Sequence, residues 1–303
     1  MQLESLFTDM LKGNIRALAK LITAAENRNP AMVPILEKLE LKPEVPVIGI
    51  TGPPGAGKSS LVNALVHEWT QNQDLKVAII AVDPSSPFNM GALLGDRLRM
   101  SDHFTHQNIF IRSMATRGAL GGLSSQIVET TDLLKNAGYN RIIIETVGVG
   151  QSEIDIAGLA DTTLLVLVPE AGDEVQAIKS GIMEIAHIFV VNKADRDGAN
   201  AFVKNLKNAL HHRNFNGWQP PVLKTIATQK VGIQELSKQI EKHTLLNHQN
   251  IHNKALLLAE KAYKILAAQK MEGINKQDWV DMIKKELINQ NFNLYSFVKS
   301  QNL

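Results

Sequence analysis

The run Gly52-Pro53-Pro54-Gly55-Ala56-Gly57-Lys58-Ser59-Ser60 constrains this chain more than any other stretch. It fits the spacing of glycine, four residues, then Gly-Lys-Ser. The β-branched segment Val47-Ile48-Gly49-Ile50-Thr51 precedes it, and the helix-like SLVNALVHEW follows. That strand, turn and helix context is what a phosphate-binding loop requires. Glycines let the backbone curl so that successive N–H groups face phosphate oxygens, and the helix N-terminus adds favourable electrostatics. In this reading the whole run from Gly52 to Ser60 cradles a nucleotide, Lys58 reaches the β- and γ-phosphates, and Ser59 ligates Mg²⁺.

The rest of the chain supplies a setting for such a loop. Apolar strand candidates at 46–51, 75–82, 108–113, 141–145, 163–168, 187–192 and 221–226 alternate with helical stretches, which predicts an α/β fold with a doubly wound, mainly parallel sheet. Leu3, Leu6, Phe7, Met10, Leu11, Ile15 and Leu18 recur at helical spacing, so residues 1–25 read as an amphipathic helix, with a second piece at 31–40. Residues 243–253, HTLLNHQNIHN, read as a polar connector, followed by two more helical patterns. The expected organisation is a helical extension over 1–42, a nucleotide-binding domain over 43–245 and a helical arm over 246–303.

Composition excludes several function classes. With 32 basic and 30 acidic side chains there is no strong nucleic-acid footprint. The absence of cysteine removes disulfides, thiolate metal sites and a cysteine nucleophile, so any metal takes oxygen or nitrogen ligands. No apolar run resembles a signal peptide or approaches the roughly 20 residues that span a bilayer. The expectation is a soluble, cytoplasmic protein without membrane or nucleic-acid partners.

Base and metal recognition have separate candidates. Asn192-Lys193-Ala194-Asp195 follows the apolar run IFVV, placing it at a strand end where open α/β sheets bind ligands. The Asp195 carboxylate can accept from guanine N1–H and the exocyclic amine, a donor pair adenine lacks, which favours GTP over ATP. Arg141-Ile142-Ile143-Ile144-Glu145-Thr146-Val147-Gly148 has the form of the strand carrying a metal-linked carboxylate, with the Gly148 N–H placed to sense the γ-phosphate. Lys58, Glu145 and Gly148 are the catalytic candidates, and Ser59, Asp83, Asp96 and Glu145 the Mg²⁺ candidates. Turn and cap chemistry is the alternative for the two aspartates, and Arg97 and Arg99 either offset phosphate charge or are solvated. Val149 stands where Ras-like enzymes carry a water-orienting glutamine, and Gln151 is out of register, so unassisted hydrolysis is expected to be slow.

Taken together, GPPGAGKSS, VDPSSPF, ALLGDRLRM, ETVGVGQSE, GDEVQAIKSGI and EIAHIFVVNKAD resemble the MeaB/ArgK family of P-loop GTPases. The resemblance implies GTP/GDP and Mg²⁺ as ligands and a cobalamin-dependent acyl-CoA mutase, such as methylmalonyl-CoA mutase, as partner. It also implies gating of adenosylcobalamin loading, protection of the mutase, and a homodimer formed through the C-terminal arm. Asp173 and Lys179 become candidates for partner-sensitive contacts within 169–181, and the backbone of Ala227 for contact with guanine. The chain departs from the family pattern at PEAGDE, at Thr225-Ile226-Ala227-Thr228, where a Ser-Ala pair is usual, and at NMGALLGD, which lacks one glycine. Two other readings compete: a nickel metallochaperone GTPase using His211, His212, His243, His248 and His252, which otherwise belong to a solvated linker or helix surface, and a nucleotide-binding interaction module without turnover. An amino-acid transport kinase is disfavoured by the lack of a transmembrane or substrate-binding signature.

Overall fold

A computed structural model describes residues 2–72, 74–83, 107–115, 125–146, 156–170, 182–211, 217–249, 251–270, 276–288 and 292–300. Seven strands form one parallel sheet: β1 (Val47–Thr51), β2 (Val77–Asp83), β3 (Ile109–Ala115), β4 (Arg141–Thr146), β5 (Thr162–Leu167), β6 (Ile188–Val191) and β7 (Val222–Lys224), in the order β3-β2-β4-β1-β5-β6-β7. Strand β1 is central, with Ile48 opposite Ile143 of β4 on one side and Thr162 of β5 on the other. The chain winds outward from it in both directions, which leaves a crevice above the C-terminal ends of β1, β4 and β5.

The principal helices are α1 (Gln2–Leu11), α2 (Ile15–Glu26), α3 (Lys58–Thr70), α4 (Ser125–Asn136), α5 (Ala199–His211), α6 (Ile233–Gln249), α7 (Ile251–Lys270), α8 (Lys276–Ile288) and α9 (Leu294–Ser300). Both sheet faces are covered, so β1, β5 and β6 are buried throughout, while polar residues such as Arg112 and Lys224 fall on the edge strands β3 and β7. Ile48, Ile50, Leu164 and Val166 pack with Leu61 and Leu65 of α3 and Leu236 and Ile240 of α6, while Leu165, Leu167, Phe189 and Val191 pack with Phe202 and Leu206 of α5. Alternation of side chains along β5 sends successive residues into these two cores.

Two elements differ from the sequence expectation. The amphipathic pattern over 1–25 is two helices: Gly13 adopts φ +87°, and the Asn14 side chain accepts the Ala17 N–H at 3.1 Å, capping a new helix. The supposed connector at 243–253 is largely helical, because α6 runs to Gln249 and α7 begins at Ile251. Its polarity is inverted: His243 and Thr244 are buried, while Leu245 and Leu246 are 63% and 48% exposed.

The chain forms two compact units, Met1–Lys261 and Ala262–Leu303. In the second, Phe297 is buried and packs edge-on against Trp279, with ring centroids 5.8 Å apart. Ile288 and Tyr295 of that unit are 80% and 83% exposed.

Candidate nucleotide site

The loop between β1 and α3 is shaped by contacts that leave no room for side chains. A Cβ on Gly52 (φ +141°) would lie 2.1 Å from the Val166 carbonyl oxygen, and one on Gly57 (φ +87°) would lie 2.4 Å from Asn192 Nδ2. Only glycine tolerates both the left-handed backbone and the approach. Lys58 opens α3 and is 6% exposed; its Nζ donates to the carbonyls of Gly52 at 2.7 Å and Pro53 at 3.0 Å. The ammonium thus lies inside the loop's curl. Pro54, Gly55, Ala56 and Ser60 complete the loop and the first turn of the helix.

Ser59 and Glu145 meet although 86 residues separate them, the Ser59 hydroxyl donating to Glu145 Oε1 at 2.7 Å. Neighbouring strands β1 and β4 make this possible, and Thr146 Oγ1 donates to Thr51 Oγ1 at 3.0 Å just below. A hydroxyl and a carboxylate are hard oxygen donors, a set that suits Mg²⁺, which binds through one or two protein oxygens together with water and phosphate. Asp83 closes β2. Asp96, Arg97, Arg99, Gly148, Val149, Gln151, Asp173 and Lys179 lie outside the described residues.

The strand-end element 192–195 clamps this loop from the side. Asn192 is buried; its Nδ2 donates to the Ala56 carbonyl at 2.9 Å, while its Oδ1 accepts from Thr225 Oγ1 and the Ala227 N–H, both at 3.1 Å. One amide therefore joins the phosphate loop to the turn after β7. Lys193, at φ +55°, donates from Nζ to the Gly55 carbonyl at 2.8 Å. Asp195 is exposed beyond them, while Ala227 is 6% exposed with its N–H directed at Asn192. The hydroxyl of Thr225 was invisible as a site feature in sequence, since nothing in TIAT itself marks which residue turns towards Asn192.

Among the histidines, His243 sits in the interior rather than on a solvated surface. Its ring stacks 4.2 Å from that of His187, and its Nδ1 lies 2.8 Å from Thr162 Oγ1 at the start of β5, at the opposite end of the sheet from the phosphate loop. His211 and His252 are exposed, and His212 lies outside the described residues.

Residues 18–282 match the family described as methylmalonyl-CoA mutase-associated GTPase MeaB. The chain belongs to that family. A putative GTPase of Pyrococcus abyssi is 49% identical over 80% of this chain and 76% of its own length. The GTPase ArgK of Escherichia coli is 35% identical over 94% of this chain and 86% of its own. A crystal structure of a LAO/AO transport system kinase superposes with a TM-score of 0.67 at 25% identity, covering 98% of this chain and 95% of the other. This member of the MeaB family is accordingly a P-loop GTPase that binds guanine nucleotide, related to mutase accessory proteins. No described helix is long and apolar enough to cross a membrane.

Proposed function

We propose that this GTPase is a Mg²⁺-dependent, cytoplasmic chaperone of a cobalamin-dependent acyl-CoA mutase, with methylmalonyl-CoA mutase as the first candidate. In this role it gates adenosylcobalamin loading and protects the mutase. The observation that carries the reading is the match of residues 18–282 to a family described by its association with that mutase.

The chain's own residues have distinct parts. Lys58 exchanges the Gly52 and Pro53 carbonyls for phosphate oxygens, and the backbone N–H groups from Gly55 to Ser60, beyond the two prolines, surround the phosphates. Asn192 and Lys193 hold the loop, Asp195 reads the guanine edge, and the Ala227 N–H, which donates to Asn192 Oδ1, turns to the base when nucleotide binds. Ser59 and Glu145, with Asp83 and Asp96, hold Mg²⁺, which when bound neutralises charge on the phosphates. Positioning and charge stabilisation by Lys58, Glu145 and the Gly148 N–H then carry catalysis. Glu145 lies three residues before Gly148, so the residue that grips Ser59 is also the root of the segment that senses the γ-phosphate.

A mutase can read the nucleotide only if it binds the GTP and GDP forms with different free energies. Segment 169–181, including Asp173 and Lys179, is the proposed reader. The arm over 246–303 is the proposed homodimer contact, supported by exposed apolar side chains such as Tyr263, Leu266, Ile288 and Tyr295 within the second unit.

The test is GTP hydrolysis with Mg²⁺, alone and with methylmalonyl-CoA mutase, using ATP and Lys58→Ala as controls. The expected result is slow, GTP-selective turnover that the mutase accelerates. Turnover indifferent to the mutase overturns the chaperone assignment and leaves the GTPase standing.

A further inference from the structure

The turn that presents Asp195 is anchored on both sides of that residue. Before it, the Asn192 N–H donates to the Leu167 carbonyl of β5 at 2.8 Å, and the Ala194 N–H to the Thr225 carbonyl at 3.1 Å. After it, the Arg196 guanidinium forms an ion pair with Glu170, three residues beyond β5. Glu170 also lies in the field of Lys193, and the hydrogen bond from Arg196 holds its carboxyl below the usual carboxylate range. Asp195 itself has no hydrogen bond or ion pair to another described residue, so its orientation depends on these neighbours.

We propose that Glu170 is a positioning residue for guanine recognition: by holding Arg196 it fixes the turn that presents Asp195, and base selectivity is set in part from the end of β5. The proposal rests on the assignment of Asp195 to the guanine edge. Without the pair, the turn keeps its Leu167 and Thr225 anchors and the bond from the Arg196 N–H to the Lys193 carbonyl at 3.0 Å, but loses the side-chain tether on the far side of Asp195. A loosened carboxylate weakens its contacts to both N1–H and the exocyclic amine. Hypoxanthine retains only the first, so a guanine nucleotide loses more than its hypoxanthine counterpart.

Equilibrium binding of GDP and inosine diphosphate to the full-length protein separates these effects without turnover. The variants are Glu170→Gln, Arg196→Gln, the charge swap Glu170→Arg with Arg196→Glu, and Asp195→Asn. Both side chains are about half exposed, so each single neutralisation is expected to weaken GDP binding by about two- to fivefold at low salt, and inosine diphosphate by less. The difference should fade near 1 M salt, where the screening length is about 3 Å, and the charge swap should recover the wild-type GDP preference with an unchanged melting temperature. Single variants that keep the wild-type GDP preference, while Asp195→Asn loses it, would overturn the role of Glu170 alone. If Asp195→Asn also keeps that preference, the base assignment falls and the proposal with it.

Discussion

At the C-terminal edge of the sheet, Lys58, Glu145 and Asn192 are buried, and they bond to carbonyls and hydroxyls of the phosphate loop and the first turn of α3, Lys58 locally and Glu145 and Asn192 from strand ends distant in sequence. At the N-terminal edge, buried polar groups close on the strands themselves. The Thr163 N–H donates to His187 Nδ1 at 3.0 Å, His243 meets Thr162, the Trp218 indole donates to the His187 carbonyl at 2.7 Å, and Asp161 accepts the Val47 N–H at 2.8 Å. A loop carbonyl bound to Lys58 can be exchanged for phosphate with little change in the sheet. A strand amide bound to His187 cannot be exchanged without opening the first residues of β5. The groups named at each edge are hydrogen-bonded, as buried polar groups generally are, but one arrangement favours ligand exchange and the other a fixed fold.

Variants sharpen this contrast, beginning with the largest expected effect. Lys58→Ala should lower GTP turnover by about 10²- to 10³-fold, the scale for removing one group that stabilises developing charge. Phosphate release measures it, and wild-type turnover would remove Lys58 from the mechanism. The lower edge should respond to acid instead. Burial lowers the His187 pKa to about 4, against an opposing influence from Asp161, while burial and then the neighbouring His187 lower that of His243 to about 3.

The folded protein therefore keeps both rings neutral below the ordinary value of 6.5, where the unfolded chain already binds protons. Their stabilising contribution is complete above about pH 6.5 and is lost as pH falls towards 4 and 3, amounting to roughly 3 kcal/mol for the pair between pH 6.5 and 5. Urea unfolding across that window checks it, and His243→Gln should remove about half of the slope. An identical slope in the variant would show that the pair does not titrate on unfolding.

Asp195→Asn should reduce GTP preference over ATP by about 10- to 100-fold, the range for losing hydrogen bonds to a charged group. Competition binding reads the ratio. The smallest effect lies under the lower half of α3, where the Trp69 indole donates to Ser237 Oγ at 2.8 Å and Arg141 covers the ring at 4.7 Å. Ser237→Ala should cost about 1 kcal/mol of stability and leave nucleotide binding unchanged; a weakened nucleotide affinity would join the two edges that the account keeps apart.

The upper edge was more legible in sequence than the lower. A phosphate loop is a contiguous pattern with a physical reason for each glycine, and continuous apolar runs marked all seven strands. The partnership of Ser59 with Glu145 follows once β1 and β4 are neighbours, but that adjacency is set by sheet order and not by spacing. Residues 243–249 misled because a helix normally buries leucine and exposes histidine. Here the start of β5 offers Thr162 and its neighbour His187 as polar partners, so His243 turns inward and Leu245 and Leu246 turn outward. The ion pair of Arg196 with Glu170 was illegible for a similar reason: each residue reads as ordinary surface charge until β5 and β6 lie side by side.

The most direct measurement is a calorimetric titration of GDP into the wild-type protein, Asp195→Asn and Ser237→Ala under one buffer condition. The account predicts equal affinity for wild type and Ser237→Ala and an affinity lower by about 10- to 100-fold for Asp195→Asn. Equal affinity in all three would contradict the assignment of guanine recognition to the C-terminal edge of the sheet.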